Sequence, residues 1–150
     1  MKQFTLQLNS RYQRPIVELK TWHNIEALLD IGAFFPIWTA DEKILEKAGG
    51  ILERKNIKFS GFGGETSGNL YRLDMFMIGN LNFSNMSIIA CKDLKAVPFQ
   101  LILSATMFHN LIYEIDSKNH KLNVTIPDNE STIRNLVIKD SDGRLHVLCN

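Results

Sequence analysis

The sequence predicts an all-β domain, a sandwich or barrel with one or two short helices. Three observations carry this prediction. Apolar and polar residues alternate, as where Phe4, Leu6 and Leu8 interleave with Thr5, Gln7 and Asn9. Turn residues punctuate the chain at Gly79-Asn80, Asp116-Ser117-Lys118-Asn119 and Asp140-Ser141-Asp142-Gly143. Before residue 100, only the stretch after Thr39 carries helical spacing and caps.

Composition narrows the class. The chain has 150 residues, 45% of them hydrophobic and 22% charged, as expected for one soluble globular domain over residues 1–150. Seventeen Lys and Arg against sixteen Asp and Glu leave a formal net charge of +1, so no electrostatic footprint points to nucleic acid or an anionic membrane. No apolar run approaches the roughly 20 residues that cross a bilayer. The two cysteines, Cys91 and Cys149, are far apart, and the four histidines are scattered singly, which predicts no metal site. The N-terminus alternates like a strand and lacks a signal-peptide core, so a reduced, cytoplasmic protein is expected. The Asn-x-Ser/Thr triplets at Asn82, Asn85, Asn123 and Asn129 then read as ordinary turn and strand residues.

The elements follow in order. Strands are expected at Phe4–Leu8, Ile16–Leu19, Ile25–Leu29 and Phe34–Trp38. The connection Asp30-Ile31-Gly32-Ala33 is tight, and Gly32 is expected to relieve a strained backbone angle there. A helix starts near Thr39-Ala40-Asp41-Glu42, capped by Asp41 or Thr39, with Ile44, Leu45 and Ala48 as its apolar face and Gly49-Gly50 as its end. Ile57–Phe59 and Asn69–Ile78 form a hairpin around a segment with four glycines, Gly61, Gly63, Gly64 and Gly68. Leu81–Ala90 and Phe99–Leu103 are strands, and Ser104 is placed to cap a single helical turn through His109. Leu111–Ile115, Lys121–Ile126, Ile133–Ile138 and Arg144–Leu148 complete the chain.

Three features call for a joint chemical explanation. Ala27-Leu28-Leu29-Asp30-Ile31-Gly32-Ala33 puts an acid at the end of an apolar strand, before a glycine-bearing turn. Gly61-Phe62-Gly63-Gly64 tips a long hairpin. Leu101-Ile102-Leu103-Ser104-Ala105-Thr106-Met107-Phe108 runs an apolar strand into a helical turn. In that order, over about residues 16–124, they resemble the retropepsins, the retroviral-type aspartic peptidases and their cellular and bacterial relatives. That family has an Ala-Leu-(Leu/Ile/Val)-Asp-Thr-Gly-Ala catalytic loop, a Gly-rich flap, and an apolar-apolar-Gly strand entering a helix.

The resemblance implies a single-lobe acid-protease β-barrel, with residues from about 120 to 150 as a C-terminal strand extension. It implies an aspartic endopeptidase without cofactor, acting on an extended peptide or protein segment. Such an enzyme needs two carboxyls sharing one proton. Asp30 alone carries the loop pattern, so the pair requires a homodimer with one Asp30 from each chain. Ile31, Gly32 and Ala33 would shape the loop. Gly61, Phe62, Gly63 and Gly64 would form the flap tip, and Gln100 and Ile102 would line side-chain pockets.

The chain also departs from the family. Ile31 stands where a Thr or Ser hydroxyl bonds across the dimer axis. Phe34 and Ala105 replace an acid–arginine pair, for which apolar contact between them is the expected substitute. Ser104 replaces the glycine of the second motif. The loss at Ile31 leaves open a catalytically weak or inactive homodimer that binds peptides. An unrelated small β-barrel with Asp30 as a plain turn acid is a third reading. Outside the constellation, Trp22 and Trp38 are expected in the core or a subunit contact. His23 and His109 are expected as surface or satisfied polar groups, Met75 and Met77 in packing, and Cys91 buried. Asp41, Glu42 and Glu46 are expected on a solvated helix face, and no Gly-x-Ser-x-Gly context supports a serine hydrolase.

Overall fold

The structure is a computed structural model that describes residues 1–9, 11, 14–19, 24–61, 64–94 and 98–150. It is dominated by strands: β1 (Lys2–Asn9), β2 (Ile16–Leu19), β3 (Ile25–Asp30), β4 (Ile37–Trp38), β5 (Ile51–Gly61), β6 (Gly64–Leu73), β7 (Phe76–Ile78), β8 (Leu81–Ala90), β9 (Leu101–Ser104), β10 (Ile112–Asp116), β11 (Lys121–Ile126), β12 (Ile133–Ser141) and β13 (Arg144–Cys149). Among the described residues, one α-helix, α1 (Glu42–Lys47), and 3-10 turns at Lys92–Leu94 and Ala105–Phe108 join them. The strands hydrogen-bond in the order β10-β11-β1-β2-β3-β9-β4-β8-β12-β13, with β7 on β8 and the β5–β6 hairpin joined to β8 through β6.

The middle of this sheet is apolar on both faces, which explains its unbroken hydrophobic runs. β9 runs parallel to β3 and antiparallel to β4, and its Leu101, Ile102, Leu103 and Ser104 are all buried. Successive side chains on a strand point to opposite faces, and two apolar clusters divide accordingly. Ala27, Leu29, Trp38, Tyr71, Ile88, Leu101 and Leu103 belong to one. Leu28, Ile37, Leu70, Ile89 and Ile102 belong to the other, with Ile57 and Phe59 of β5.

Several expectations change. The hairpin's first strand begins at Ile51, ahead of the expected Ile57; residues 51–56 are exposed and show no alternation, so they carry no strand signal. Phe34 and Phe35 lie in a bend, leaving only Ile37–Trp38 as strand. The expected strand Asn69–Ile78 breaks at Asp74-Met75, where Met75 is 70% exposed rather than packed. Trp22 and His23 lie outside the described residues, whereas Trp38 and Cys91 are buried and His109 is exposed. The Asp142-Gly143 turn joins β12 to β13 with both residues at positive φ (54° and 69°), the turn type that matches strand twist.

α1 is capped by Asp41, whose carboxylate accepts from the Lys43 N–H at 2.9 Å. Its acids are not simply solvated. Glu42 Oε1 accepts from Asn69 Nδ2 at 2.6 Å, and Glu46 Oε1 accepts from the Tyr71 hydroxyl at 3.0 Å, which pins the helix to β6. Burial first, then the Glu46 hydrogen bond and the charges of both glutamates, push the Tyr71 hydroxyl far above its usual value of 10.0.

Two predictions follow from this packing. A folded-state value above the unfolded one gives stability that is complete below about pH 10 and lost as pH rises through the folded value. Urea denaturation should therefore show a steeper alkaline loss for the parent protein than for Tyr71→Phe. At Gly68, a Cβ would sit 2.6 Å from the Ala90 carbonyl oxygen. Gly68→Ala should lower stability by about 1–3 kcal/mol in the same assay.

Candidate active site

Asp30 is the last residue of β3, paired in parallel register with Ser104 at the end of β9. Period-2 alternation puts its side chain on the face of Leu28, the side that carries the cluster with Ile37 and Phe59. A tight turn follows, closed by the Ala33 N–H donating to the Asp30 carbonyl at 3.1 Å. The Gly32 N–H donates to Asp30 Oδ1 at 3.0 Å, an Asx-type arrangement that fixes the carboxylate over its own turn. Gly32 does not take a positive φ, so the expected backbone relief is not its role. A Cβ there would lie 3.3 Å from Asp30 Oδ1, so the absent side chain is what makes room for the carboxylate.

The segment after β9 holds this loop from the other side. The Ala105 N–H donates to the Ala33 carbonyl at 3.2 Å, and the Thr106 hydroxyl donates to the Phe34 carbonyl at 2.8 Å. With its single proton engaged there, Thr106 Oγ1 accepts from the Ser104 hydroxyl at 2.7 Å. Ser104 therefore donates its hydrogen bond to Thr106 and makes no side-chain cap of the helical turn, contrary to the cap expected from its position. This relay ties the Phe34 backbone to the turn that begins at Ala105, the two positions where the acid–arginine pair is missing. The Phe34 side chain instead points out and is 76% exposed, and Ile31 is 61% exposed. Ile31 and Phe34 thus put two large apolar side chains on the surface within five residues of the acid.

A cleft of about 230 Å³ opens beside the carboxyl, lined by Asp30, Gly32, Ala33, Phe35, Phe59 and Ser60 among others. Phe59 and Ser60 come from β5, so the long hairpin borders the acid. Its Phe59 ring meets Phe35 edge-on, with centroids 5.3 Å apart. Gly61 pairs with Gly64 near the hairpin's end, and Gly64 sits at φ 150°, a conformation that favours glycine. Phe62 and Gly63 lie outside the described residues.

Gln100 and Ile102 are placed elsewhere. Gln100 Oε1 accepts from the Glu26 N–H at 2.8 Å, bracing β9 to β3 at the end away from Asp30. Ile102 is fully buried in the second cluster. Sequence reasoning missed Thr106 and Phe35. The first is a helix-turn hydroxyl whose partner lies 72 positions away, and the second is one member of an apolar run.

Among the described residues, no group of His, Cys, Asp and Glu is arranged to hold a metal ion. No helix among them is long and apolar enough to cross a membrane. No family model matches the chain, and neither does any curated protein. Among solved structures, the chain is similar to the crystal structure of a retropepsin-like aspartic protease from Rickettsia conorii. The TM-score is 0.54 at 17% identity, covering 82% of this chain and 89% of that one. The protein therefore has an all-β, retropepsin-like fold.

The relay yields a direct expectation. Thr106→Val strands the Phe34 carbonyl and costs about 1 kcal/mol in urea denaturation, whereas Thr106→Ser keeps the donor and most of the stability.

Proposed function

We propose that the protein is an aspartic endopeptidase that acts as a homodimer on an extended peptide or protein segment. One observation carries the reading. In a retropepsin-like fold, the Asp-x-Gly-Ala turn presents a carboxylate to a cleft bordered by a glycine-rich hairpin. The exposed Ile31 and Phe34 support self-association, because large apolar side chains beside a site are stabilised by burial against a second surface.

In the dimer, two Asp30 carboxyls about 3 Å apart share one proton. The ionised member takes a proton from a water held between them while the protonated member polarises the scissile carbonyl. Attack gives a tetrahedral diol, and proton return to the leaving nitrogen completes cleavage without a covalent intermediate. Gly32 and Ala33 leave the loop backbone open to the peptide. The hairpin, its glycines at residues 61–64 forming the flap tip, covers the peptide and excludes water. The cleft walled by Phe35 and Phe59 suits an apolar side chain beside the scissile bond. Two unpaired cysteines fit a reducing, cytoplasmic setting.

Ile31 favours a second reading, a peptide-binding homodimer with little or no catalysis. Its side chain offers no hydrogen bond to lock the two loops. The readings separate in one assay. Cleavage of an unstructured protein at mildly acidic pH should be blocked by a statine-type transition-state mimic and fall at least about 100-fold in Asp30→Asn. Ile31→Thr should raise the rate, and cleavage by neither protein would leave the binding module. Sedimentation of Phe34→Asp should give a folded monomer, and an unchanged dimer would place the subunit contact elsewhere.

A further inference from the structure

The β5–β6 hairpin has a base inside the sheet and an arm that leaves it. β6 pairs with β8 only from Asn69, opposite Ala90, to Leu73. Beyond that point Ile57–Gly61 and Gly64–Gly68 form strand ladders only with each other, and the arm touches the rest through Phe59 on Phe35 and through Thr66 and Ser67 at Cys91 and Asp93. At this junction the β5 register is broken twice, between Leu52 and Arg54 and again between Arg54 and Ile57. Asn56 between them takes a positive φ of 58°. Such breaks bend a strand and concentrate its flexibility. The Asn56 N–H donates to Asn69 Oδ1 at 3.1 Å, and Asn69 is tied in turn to Glu42 of α1.

The second hold on this junction comes from residues past 124, the part of the chain the family resemblance does not cover. Arg54 Nη1, between the two breaks, lies 2.9 Å from Asp140 Oδ2 on β12. Ile138 of β12 shares one apolar cluster with Ile57, Phe59 and Leu70, and Leu145 and Val147 of β13 pack against it. The register Ile138 to Val147 and Asp140 to Leu145 puts these four residues on one face of the C-terminal hairpin. The half-exposed ion pair fixes direction, and the apolar cluster supplies the holding energy.

We propose that the β12–β13 hairpin is a brace that sets the resting position of the β5–β6 arm over Asp30, with Arg54 and Asp140 as positioning residues. The arm's role as a flap rests on the peptidase reading, but the brace itself does not. Loosening it frees the arm while leaving β3 and β9 intact. In the peptidase, that loosening raises KM for an extended substrate more than it lowers kcat.

Amide hydrogen exchange on the full chain tests this. In Leu145→Ser/Val147→Ser, amides of residues 57–61 and 64–68 should exchange about tenfold faster while β3 and β9 keep their protection. Asp140→Asn should speed the same amides two- to threefold, roughly the effect of one exposed ion pair, and Arg54→Lys should stay near the parent. Faster exchange confined to β13, with the arm unchanged, overturns the proposal. Should the double variant unfold globally, Asp140→Asn decides, and unchanged arm exchange in it overturns the proposal equally. Asp30→Asn should exchange like the parent. A failed peptidase assay and a failed brace therefore leave different records.

Discussion

The parallel pairing of β3 with β9, each enclosed by apolar side chains on both faces, is the constraint on which the rest of the molecule depends. It sets Asp30 opposite Ser104, and that register puts the loop after β3 within reach of the turn after β9. The Ala105 N–H and the Thr106 hydroxyl then hold the loop at two carbonyls. A one-residue slip would turn Asp30 to the opposite face, away from the cleft and into the cluster of Leu29 and Leu103. Continuous burial of β9 makes such a slip costly, since each displaced apolar side chain would trade places with its neighbour.

The same alternation divides labour between the two faces. One face gathers the bulk of the core around Trp38, Tyr71 and Phe76. The other holds a smaller cluster that reaches from β3 and β9 out to the hairpin and the C-terminal strands. The acid lies on this second, shared face. What touches the cleft is therefore mechanically continuous with elements far along the chain.

Much of this was legible in the residues. Unbroken apolar runs marked β3 and β9, Asp41 marked the start of α1, and Asp-Gly marked the β12–β13 turn, because each signal is local. The Asp30 turn and the glycine-rich hairpin were also legible from their own residues. What escaped was non-local or hidden by exposure. The polar stretch Glu53–Asn56 masked the first half of β5 because neither of its faces is buried. Glu42 and Glu46 read as solvated acids because their partners, Asn69 and Tyr71, are more than twenty residues away. The hydroxyl relay through Thr106 has no sequence signature, since serines and threonines at turns usually serve their own backbone.

β1 has a bearing on how the chain is made. Its long partner is β11, with Lys2 opposite Ile126 and Gln7 opposite Lys121. Apart from the short ladder to β2 at Leu8 and Asn9, β1 pairs with no other strand among the described residues, although its Phe4 ring lies against Gly79 of the β7–β8 turn. During synthesis β1 thus waits for residues 121–126 before its long edge is paired. Its polar outward side, Gln3, Thr5 and Gln7, keeps the unmated ribbon from clinging to other nascent chains during the wait.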